Sequence, residues 1–566
     1  MKLHGSEIIV RTLIEQGVTD VFGYPGGQIL NVYDALYKYK DEINHVLTAH
    51  EQGAAHAADG YSRATGKVGV VIATSGPGAT NLVTGIATAM LDSVPMIAIT
   101  GNVPCSLIGK DSFQEIDITG ITLPITKHNY FVANVEDLAD TIREAFAIAK
   151  SGRPGPVLID VPKDVQIAQC EYEAAPVVEK IPIPEAKTND IDEAIRLVNE
   201  SKRPYIYLGG GAAGLGLGDE ILALAEKIDA YIGCTFMGLS AVPTKSERFL
   251  GMQGMHGHYA SSVAQDEADL VIGVGVRFSD RATGNIARFA KNTKIIQLDP
   301  DFSEINKNVK VDCGIIGDVE KSLMAIAGAI EPKDNPEWRK RVAELRADEA
   351  RFESVAEQKN KDRLTPKKVL GLINKNKPPH TVIATDVGQH QMWTAQYADF
   401  DAPRKIVSSG GLGTMGFGLG AAIGAKVGSG DTVVLVTGDG SFGMNLNELA
   451  TAVSHGIPVI VVIMNNGVLG MVRQWQTLFF GKRYSNTILT DRKTDFVKLA
   501  EAFGAIGMRA TTEKEFDECF RKALELGQTV VIDTYIDKDE FVLPMLPPGG
   551  SIDDIITNIE MKEDGE

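Results

Sequence analysis

Short apolar runs alternate with amphipathic segments along most of this chain. Buried strands are predicted where β-branched residues cluster, at 204–208, 270–274, 294–298, 432–437 and 458–464. Segments such as 6–17 carry apolar residues at helical spacing instead. Strands and helices that alternate in this way predict an α/β fold with mostly parallel sheets.

Segments with the composition of linkers divide the chain of 566 residues into parts. A chain of this length exceeds one core and suggests several domains of roughly 150 residues each. A segment rich in Pro and Glu predicts a linker at 169–189. A segment with many charged residues and a helical pattern predicts a second linker at 336–363. We predict three doubly wound α/β domains with mostly parallel sheets, at 1–168, 190–335 and 364–540. The first and third predicted domains resemble each other only in the way that strands and helices alternate along them.

The remaining segment, 541–566, is a Pro- and Gly-rich tail that keeps several apolar residues. Apolar side chains in a terminal segment favour docking over a free end. We therefore expect the tail to pack over a site.

The charge balance and the cysteines narrow the function classes. The net charge of -18 argues against a nucleic-acid partner and leaves any anionic substrate dependent on locally placed Arg or Lys. The five cysteines are scattered without a CxxC pair, which favours a reducing cytoplasm. The amino terminus has no signal-peptide pattern, and the apolar runs are too short to span a bilayer. We expect a cytoplasmic protein without a membrane role.

The stretch 432–466 carries the clearest chemistry. One apolar run leads into GDGS at 438–441, and a second, after a helical segment, ends in NN at 465–466. A right-handed crossover makes the two strands parallel, so Asp439 and Asn466 leave the sheet at the same edge. Carboxylate and amide oxygens suit Mg²⁺, and the glycines admit phosphates to the backbone. The alternative is a pair of ordinary turns.

At a spacing of one βαβ unit, the two turns together resemble the diphosphate–Mg²⁺ motif of thiamine-diphosphate enzymes, which begins with GDG and ends with NN. Glu51, in the sequence AHEQGAA, fits the same family. Locally it could simply interact with the amino end of a helix. In the family, a Glu of the first domain meets a nitrogen of the cofactor's pyrimidine ring, so that the amino group can take the thiazolium proton. The family also implies that this Glu and the diphosphate site come from different subunits.

The resemblance then extends over essentially the whole chain. The matching strings are YPGG at 24–27, SFQE at 112–115, GRPGP at 152–156, DVPKD at 160–164, GMHG at 254–257, GQHQMW at 388–393, GLGTMG at 411–416 and GMVRQW at 470–475. In this order and spacing they resemble the catalytic subunits of the acetohydroxyacid (acetolactate) synthase family. The three domains would then bind pyrimidine, FAD and diphosphate, in that order.

The resemblance implies cofactor ligands residue by residue. Mg²⁺ would be bound by Asp439, Asn466 and the carbonyl of Val468. Thiamine diphosphate would contact Gln389, His390, Gly413, Met415, Gly438, Gly440 and Ser441. Met415, which on local grounds favours core packing, would separate the two thiamine rings. FAD contacts would match Arg153, Gly209, Gly210, Gly211, Met255, His256, Arg277, Asp299 and Asp318. A glycine-rich turn after a strand is by itself weak support for a dinucleotide.

Substrate residues follow from the same matches. Gly27, Gln114 and Lys163 would join Glu51 and Met415 at the reacting centre, and Phe113 would line the approach. Arg281 would bind the carboxylate of the second 2-ketoacid, and Trp475 would shape its pocket. Without the family, Arg281 favours a surface ion pair with Asp280, Trp475 a half-buried anchor and Lys163 a solvated side chain. The family has Asp where this chain has Ser279, which alters the hydrogen bonding beside Arg281.

The implied activity is acetolactate synthesis in branched-chain amino-acid biosynthesis. Pyruvate would lose CO₂ on thiamine diphosphate, and the remaining two-carbon unit would join a second pyruvate or 2-ketobutyrate. The expected assembly is a homodimer or tetramer, with a possible small regulatory subunit. Alternatives are an FAD-dependent pyruvate oxidase, an FAD-free catabolic acetolactate synthase, and a binding protein with a degenerate site.

Overall fold

The computed structural model describes residues 1–177 and 182–559. Within them lie three six-stranded sheets, each parallel throughout, and one two-stranded antiparallel sheet. The predicted α/β class with mostly parallel sheets is confirmed. The predicted linker at 169–189 and tail at 541–566 each include residues outside the described part, at 178–181 and 560–566.

The first part of the chain forms the two-stranded sheet and one six-stranded sheet. Its strands are β1 (Lys2–His4), β2 (Asp20–Tyr24), β3 (Asn44–Leu47), β4 (Gly69–Ala73), β5 (Met96–Asn102), β6 (His128–Phe131), β7 (Pro156–Pro162) and β8 (Gln169–Glu171). Its helices are α1 (Gly5–Glu15), α2 (Leu30–Lys38), α3 (Glu51–Thr65), α4 (Pro77–Asn81), α5 (Val83–Asp92), α6 (Ile118–Thr122), α7 (Leu138–Lys150) and α8 (Lys163–Ile167). The large sheet has the order β3-β2-β4-β5-β7-β6.

The middle part builds the second sheet. Its strands are β9 (Pro204–Leu208), β10 (Tyr231–Cys234), β11 (Phe249–Met252), β12 (Leu270–Val274), β13 (Lys294–Asp299) and β14 (Cys313–Ile316), in the order β11-β10-β9-β12-β13-β14. Its helices are α9 (Thr188–Glu200), α10 (Gly210–Leu215), α11 (Gly218–Ile228), α12 (Tyr259–Glu267), α13 (Asp280–Thr283) and α14 (Val319–Ala329), and α15 (Pro336–Lys359) follows. The strands predicted at 204–208 and 270–274 have these bounds.

The last part builds the third sheet. Its strands are β15 (Val382–Thr385), β16 (Ile406–Val407), β17 (Val433–Gly438), β18 (Ile460–Asn465), β19 (Ile506–Ala510) and β20 (Val530–Tyr535), in the order β16-β15-β17-β18-β20-β19. Its helices are α16 (Pro366–Asn376), α17 (Gln389–Tyr397), α18 (Gly418–Ser429), α19 (Asp439–Asn445), α20 (Glu448–Ser454), α21 (Gly470–Phe479), α22 (Phe496–Ala502) and α23 (Glu513–Leu526). None of the helices in the described part of the chain combines the length and apolar content needed to cross a bilayer.

Two features differ from the sequence-based prediction. The first residues of the predicted linker form β8, which pairs antiparallel with β1 in the two-stranded sheet of the first part of the chain. Strands of three residues are too short to show a period-2 pattern, so the sequence carried no signal for this pair. The first and third sheets also share more than the alternation of strands and helices, because their strands have the same order relative to the chain: second, first, third, fourth, sixth, fifth.

The first and third sheets meet through α3 and α18, whose backbones lie in direct contact. A Cβ atom on Gly60 would overlap the carbonyl group of Ala421, and one on Gly424 would overlap that of Ala57. Small residues on both helices permit this approach, and one apolar cluster runs from the first sheet through both helices into the third. The carboxyl edges of the two sheets are therefore held in a fixed relation.

Candidate active site

The two turns of the GDG–NN stretch meet at the carboxyl edge of the third sheet. Strands β17 and β18 pair in parallel, with Gly438 beside Met464, so Asp439 and Asn466 leave the sheet together. Burial raises the pKa of the Asp439 carboxylate to about 6, although backbone N–H groups at the two turns act in the opposite direction. A buried carboxylate held at the second turn is a suitable ligand for a cation.

The oxygens at this turn fit Mg²⁺. Asp439 offers a carboxylate, Asn466 an amide oxygen, and Val468 a backbone carbonyl; the Val468 N–H donates to Asn466 Oδ1 at 3.2 Å. Mg²⁺ accepts such a mixed oxygen set and completes its shell with water or phosphate. A bound cation would also offset the burial that raises the pKa of Asp439.

Polar side chains at the start of α17 lie beside this turn. Gln389 Nε2 donates to Gln474 Oε1 and to the Glu540 carbonyl, both at 3.0 Å, and its Oε1 accepts Asn466 Nδ2 at 3.3 Å. His390 is buried, and its Nε2 has no hydrogen-bond partner within the described chain. Burial lowers the pKa of His390 to about 3, so the imidazole is neutral. In the tautomer that carries its proton on Nε2, the neutral ring can donate to a phosphate oxygen.

Two glycines of the GDGS turn pack closely against neighbouring side chains. A Cβ atom on Gly438 would stand 2.9 Å from His390 Nδ1, and one on Gly440 would stand 2.7 Å from Leu469 Cδ2. Ser441 donates its hydroxyl to the Val387 carbonyl at 2.7 Å. Neighbouring side chains therefore leave no room for a side chain at either glycine of the GDGS turn.

The segment Gly410–Gly416, which we call the cofactor loop, follows β16 and carries Met415. Its Gly413 and Gly416 have φ values of +69° and +89°, which favour glycine. The Gly416 N–H donates to Asp386 Oδ1 at 2.8 Å. Met415 reaches toward the GDGS turn, since its Cε lies 4.0 Å from the Cβ position of Gly440.

The first sheet brings together a second group of predicted residues at its own carboxyl edge. Glu51 begins α3, is half-buried, and accepts a hydrogen bond from Asn81 Nδ2 at 3.0 Å. Gln114 has a φ of 61° and lies against Gly76, and Lys163 Nζ donates to the Gly27 carbonyl at 3.2 Å. These residues follow strands of the same parallel sheet and so lie at its carboxyl edge.

Phe113, next to Gln114, is 84% exposed. No hydrogen bond of the described chain joins Glu51 to Asp439 or Asn466, the two acceptors of the third sheet. We call these two groups, one at each sheet, the half-sites.

The proposed flavin residues fall into two groups. Arg277 donates to the Leu91 carbonyl at 2.7 Å, and Arg153 donates to Ser93 Oγ at 2.7 Å and pairs with Glu304 at 3.2 Å. Burial, together with the like charge of Arg153, lowers the pKa of Arg277, and burial raises that of Asp299 to about 6. An anion beside the two guanidinium groups would offset the cost of placing them together.

The other predicted flavin residues lie at turns. Gly209 and Gly211 pack so closely on Gly275 that neither admits a side chain, with Gly210 between them. His256 is buried with an unpartnered Nδ1, and Asp318 caps α14 by accepting the Lys321 N–H at 3.1 Å. The glycine turn and the unpartnered imidazole fit a dinucleotide; the Asp318 carboxylate is already engaged in a helix cap.

Arg281 and Trp475 are connected through the tail. The Met255 N–H donates to the Arg281 carbonyl at 2.9 Å, and the Leu546 N–H donates to the Met255 carbonyl at 2.7 Å. Gln474, beside Trp475, approaches Met545 Sδ at 3.6 Å. The tail residues Val542 and Met545 are fully buried, so the described tail packs against this region as predicted.

The two side chains themselves remain open. Arg281 has a side chain that is 65% exposed and stands 3.9 Å from Asp280. This distance makes the local ion pair weak and leaves the guanidinium group available. Trp475 packs edge-on against Phe479, with ring centroids 5.4 Å apart.

Sequence reasoning missed three buried acids at the site. Glu448 accepts the Ala49 N–H at 3.2 Å behind Glu51, and burial raises its pKa. Asp386, which holds the cofactor loop, directly follows the buried strand β15, the same signal that singled out Asp439. Asp92 contacts that loop from α5 and had no signal in the sequence, because its partners are distant along the chain.

Comparison with known proteins finds matches in the first, middle and last parts of the chain. Family models of thiamine pyrophosphate enzymes match their N-terminal TPP-binding domain at residues 3–121, their central domain at 191–326 and their C-terminal TPP-binding domain at 386–534. The chain is 45% identical to a probable acetolactate synthase large subunit of Methanocaldococcus jannaschii, over 99% of this chain and 96% of the relative.

Two bacterial relatives agree. The acetolactate synthase large subunit of Corynebacterium glutamicum is 45% identical over 98% of this chain and 90% of its own length. The acetolactate synthase isozyme 3 large subunit of Escherichia coli is 41% identical over 98% of both chains. The predicted family is therefore confirmed: the chain belongs to the acetolactate synthase large subunits, within the thiamine pyrophosphate enzymes.

Proposed function

We propose that this protein is the catalytic large subunit of an acetolactate synthase. It takes CO₂ from pyruvate and joins the remaining two-carbon unit to a second 2-ketoacid, pyruvate or 2-ketobutyrate, for branched-chain amino-acid biosynthesis. The observation that carries the proposal is the meeting of Asp439 and Asn466 at one sheet edge, in a chain that matches such subunits over nearly its full length.

The cofactors we propose are thiamine diphosphate, Mg²⁺ and FAD. When bound, thiamine diphosphate supplies a nucleophilic carbon and an electron sink for the loss of CO₂. Asp439, Asn466 and Val468 hold Mg²⁺, while Gln389, His390 and the GDGS turn hold the diphosphate. Arg153, Arg277 and His256 hold FAD, whose role is structural because the net reaction transfers no electrons.

Glu51 is proposed to hold a proton at the pyrimidine ring. Its carboxylate is half-buried at the amino end of α3, and Asn81 fixes its orientation by a hydrogen bond of 3.0 Å. A carboxyl group in this setting can exchange a proton with a ring nitrogen without losing its position. Gln114 and Lys163, near the same edge, would orient the substrate.

Arg281 and Trp475 are proposed to select the second substrate. A 2-ketoacid carries a carboxylate, and this acidic chain must attract it with a local cation. Arg281 has no strong partner of its own, and Trp475 offers a wall of fixed shape. Together they would admit a short apolar chain beside the carboxylate.

The active unit is proposed to be a homodimer in the cytoplasm. Separate half-sites, with a half-accessible Glu51 and an 84% exposed Phe113, are suited to completion by a second copy of the chain. The relatives are named large subunits, which supports a small regulatory partner.

The test is an assay of the purified protein with thiamine diphosphate, Mg²⁺, FAD and pyruvate. We expect acetolactate from the wild type and none from Glu51→Gln. Oxygen or quinone consumption without acetolactate would instead indicate a pyruvate oxidase. Full activity after complete removal of FAD would indicate the catabolic branch.

A further inference from the structure

The carboxylate of Asp92 holds the first two residues of the cofactor loop. Asp92 is the last residue of α5. Its Oδ2 accepts the Gly410 N–H at 3.0 Å, and its Oδ1 accepts the Gly411 N–H at 2.7 Å. One side chain of the first sheet region thus binds two consecutive backbone groups of the third.

This position is unfavourable for the helix itself. A carboxylate at the carboxyl end of a helix faces the negative end of the helix dipole. The Asp92 side chain is also fully buried, so its charge needs partners. Arg63 supplies one at 2.9 Å, but Arg63 already pairs with the equally buried Asp59. The acid at position 92 is therefore better explained by the loop than by its own helix.

The fit around the two glycines is tight. A Cβ atom on Gly411 would stand 2.7 Å from Asp92 Oδ1, and one on Gly410 would overlap Met237 of the middle part. Farther along the loop, Thr414 Oγ1 bonds to Thr88 Oγ1 of the same helix at 2.8 Å. Helix α5 thus fixes the loop on both sides of Gly413.

The end of α5 is anchored from the opposite side as well. Arg277 and Arg153 donate to the backbone of Leu91 and to the Ser93 hydroxyl, as described above. Asp92 lies between these two anchored residues, so its carboxylate is presented to the loop in a fixed orientation.

We propose that Asp92 is a positioning residue that sets the cofactor loop, and with it Met415, at the geometry needed to bind thiamine diphosphate. The proposal rests on the proposed function of the site. Asp59 offers a matched control, because it is buried and pairs with Arg63 but does not contact the loop.

The experiment titrates thiamine diphosphate, by calorimetry with Mg²⁺ present, into FAD-loaded protein stripped of thiamine. We expect Asp92→Asn to raise the Kd about tenfold or more and Asp59→Asn to leave it within about twofold, while both lower the Tm. Equal changes in Kd for the two variants, or an unchanged Kd for Asp92→Asn, would overturn the proposal.

The wild-type titration separates this proposal from the function on which it rests. Wild-type protein without affinity for thiamine diphosphate would overturn both, whereas wild-type affinity with equal variants overturns only the role of Asp92. If Asp92→Asn does not fold, Gly411→Ala tests the same contact from the loop, since its methyl group must displace the Asp92 carboxylate. A weakened Kd for Gly411→Ala supports the role, and an unchanged Kd contradicts it.

Discussion

The first and third sheets share one frame but carry different chemistry. In both, the fourth strand ends in an Asn whose side chain donates to an Asp on the sixth strand: Asn102 to Asp160 at 2.6 Å, and Asn465 to Asp533 at 2.8 Å. The registers agree, because each Asp lies opposite the residue two positions before the Asn. The middle sheet has another strand order.

The difference begins one residue after this shared clamp. In the third sheet the next residue is Asn466, a proposed metal ligand; in the first sheet it is the buried Val103. The shared strand order and Asn–Asp hydrogen bond therefore fix where the fourth strand ends. The residue that follows the Asn determines which groups are available for binding there. This comparison gives the two asparagines different roles: the first stabilises the sheet, and the second is the proposed metal ligand.

The largest expected effect is on kcat, and cofactor binding distinguishes the roles of the two half-sites. Glu51→Gln and Asp439→Asn should each lower kcat by roughly a thousandfold or more, because each removes a group at the reacting centre or its cofactor. Only Asp439→Asn should weaken binding of thiamine diphosphate and Mg²⁺, measured by calorimetry. If Glu51→Gln weakens binding as much, the division of roles is wrong.

Mixing these two inactive variants tests whether the half-sites meet across a dimer. Heterodimers would contain one intact site, so unfolding and refolding the mixture should restore about a quarter of wild-type acetolactate synthesis. A mixture that stays inactive, although each variant alone refolds to a dimer, would place both half-sites within one chain.

The next effect concerns the acceptor. Arg281→Ala should lower kcat/KM for the second 2-ketoacid about a hundredfold, because it removes the cation for the carboxylate. Trp475→Leu should instead change the ratio of 2-ketobutyrate to pyruvate products about tenfold. Competition between the two ketoacids measures both. Arg196→Ala, at an exposed arginine of α9 with surface ion pairs, is the control and should change neither quantity.

A smaller effect tests the contact between the two frames. Gly60→Ala and Gly424→Ala should each lower the free energy of unfolding by about 1–3 kcal/mol, because the added methyl group meets backbone rather than a movable side chain. Gly371→Ala, in α16 with open space around it, should instead raise stability by about 0.5–1 kcal/mol. Urea unfolding measures all three. Equal effects at Gly60 and Gly371 would contradict close helix packing.

The last effect, which depends on pH, compares the two Asn–Asp clamps. Burial raises the pKa of Asp160 to about 7, so the folded state binds its proton more tightly than the unfolded state does. Asp160 therefore makes stability fall as pH rises from about 4 to 7, by up to ~1.4 kcal/mol per pH unit. Asp160→Asn should remove this slope in unfolding measured at several pH values.

Asp533→Asn should change that slope less than Asp160→Asn does. Burial raises the pKa of Asp533 too, but Arg509 at 3.4 Å acts in the opposite direction. A larger change for Asp533→Asn than for Asp160→Asn would show that the two clamps are not electrostatically distinct in this way.

The sequence predicted those parts that depend on local pattern. Apolar β-branched runs located β9 and β12 to the residue, and the turn after β17 identified Asp439 because parallel strands end at one edge. The roles of Asp92 and Glu448 were not predicted. Nothing in the neighbouring sequence indicates that residues more than 300 positions away complete their hydrogen bonds. The shared strand order was also hidden, because periodicity marks a strand without marking its neighbour.

The close packing of α3 and α18 has a consequence for synthesis of the protein. Ala421, whose backbone packs against Gly60, is added to the growing chain about 360 residues after Gly60. At 5–20 residues per second, the alanine-rich face of α3 leaves the ribosome roughly 20–70 s before its partner exists. The first part of the nascent chain must stay soluble for that interval with this face uncovered, which makes α3 the segment where we expect a chaperone to bind during translation.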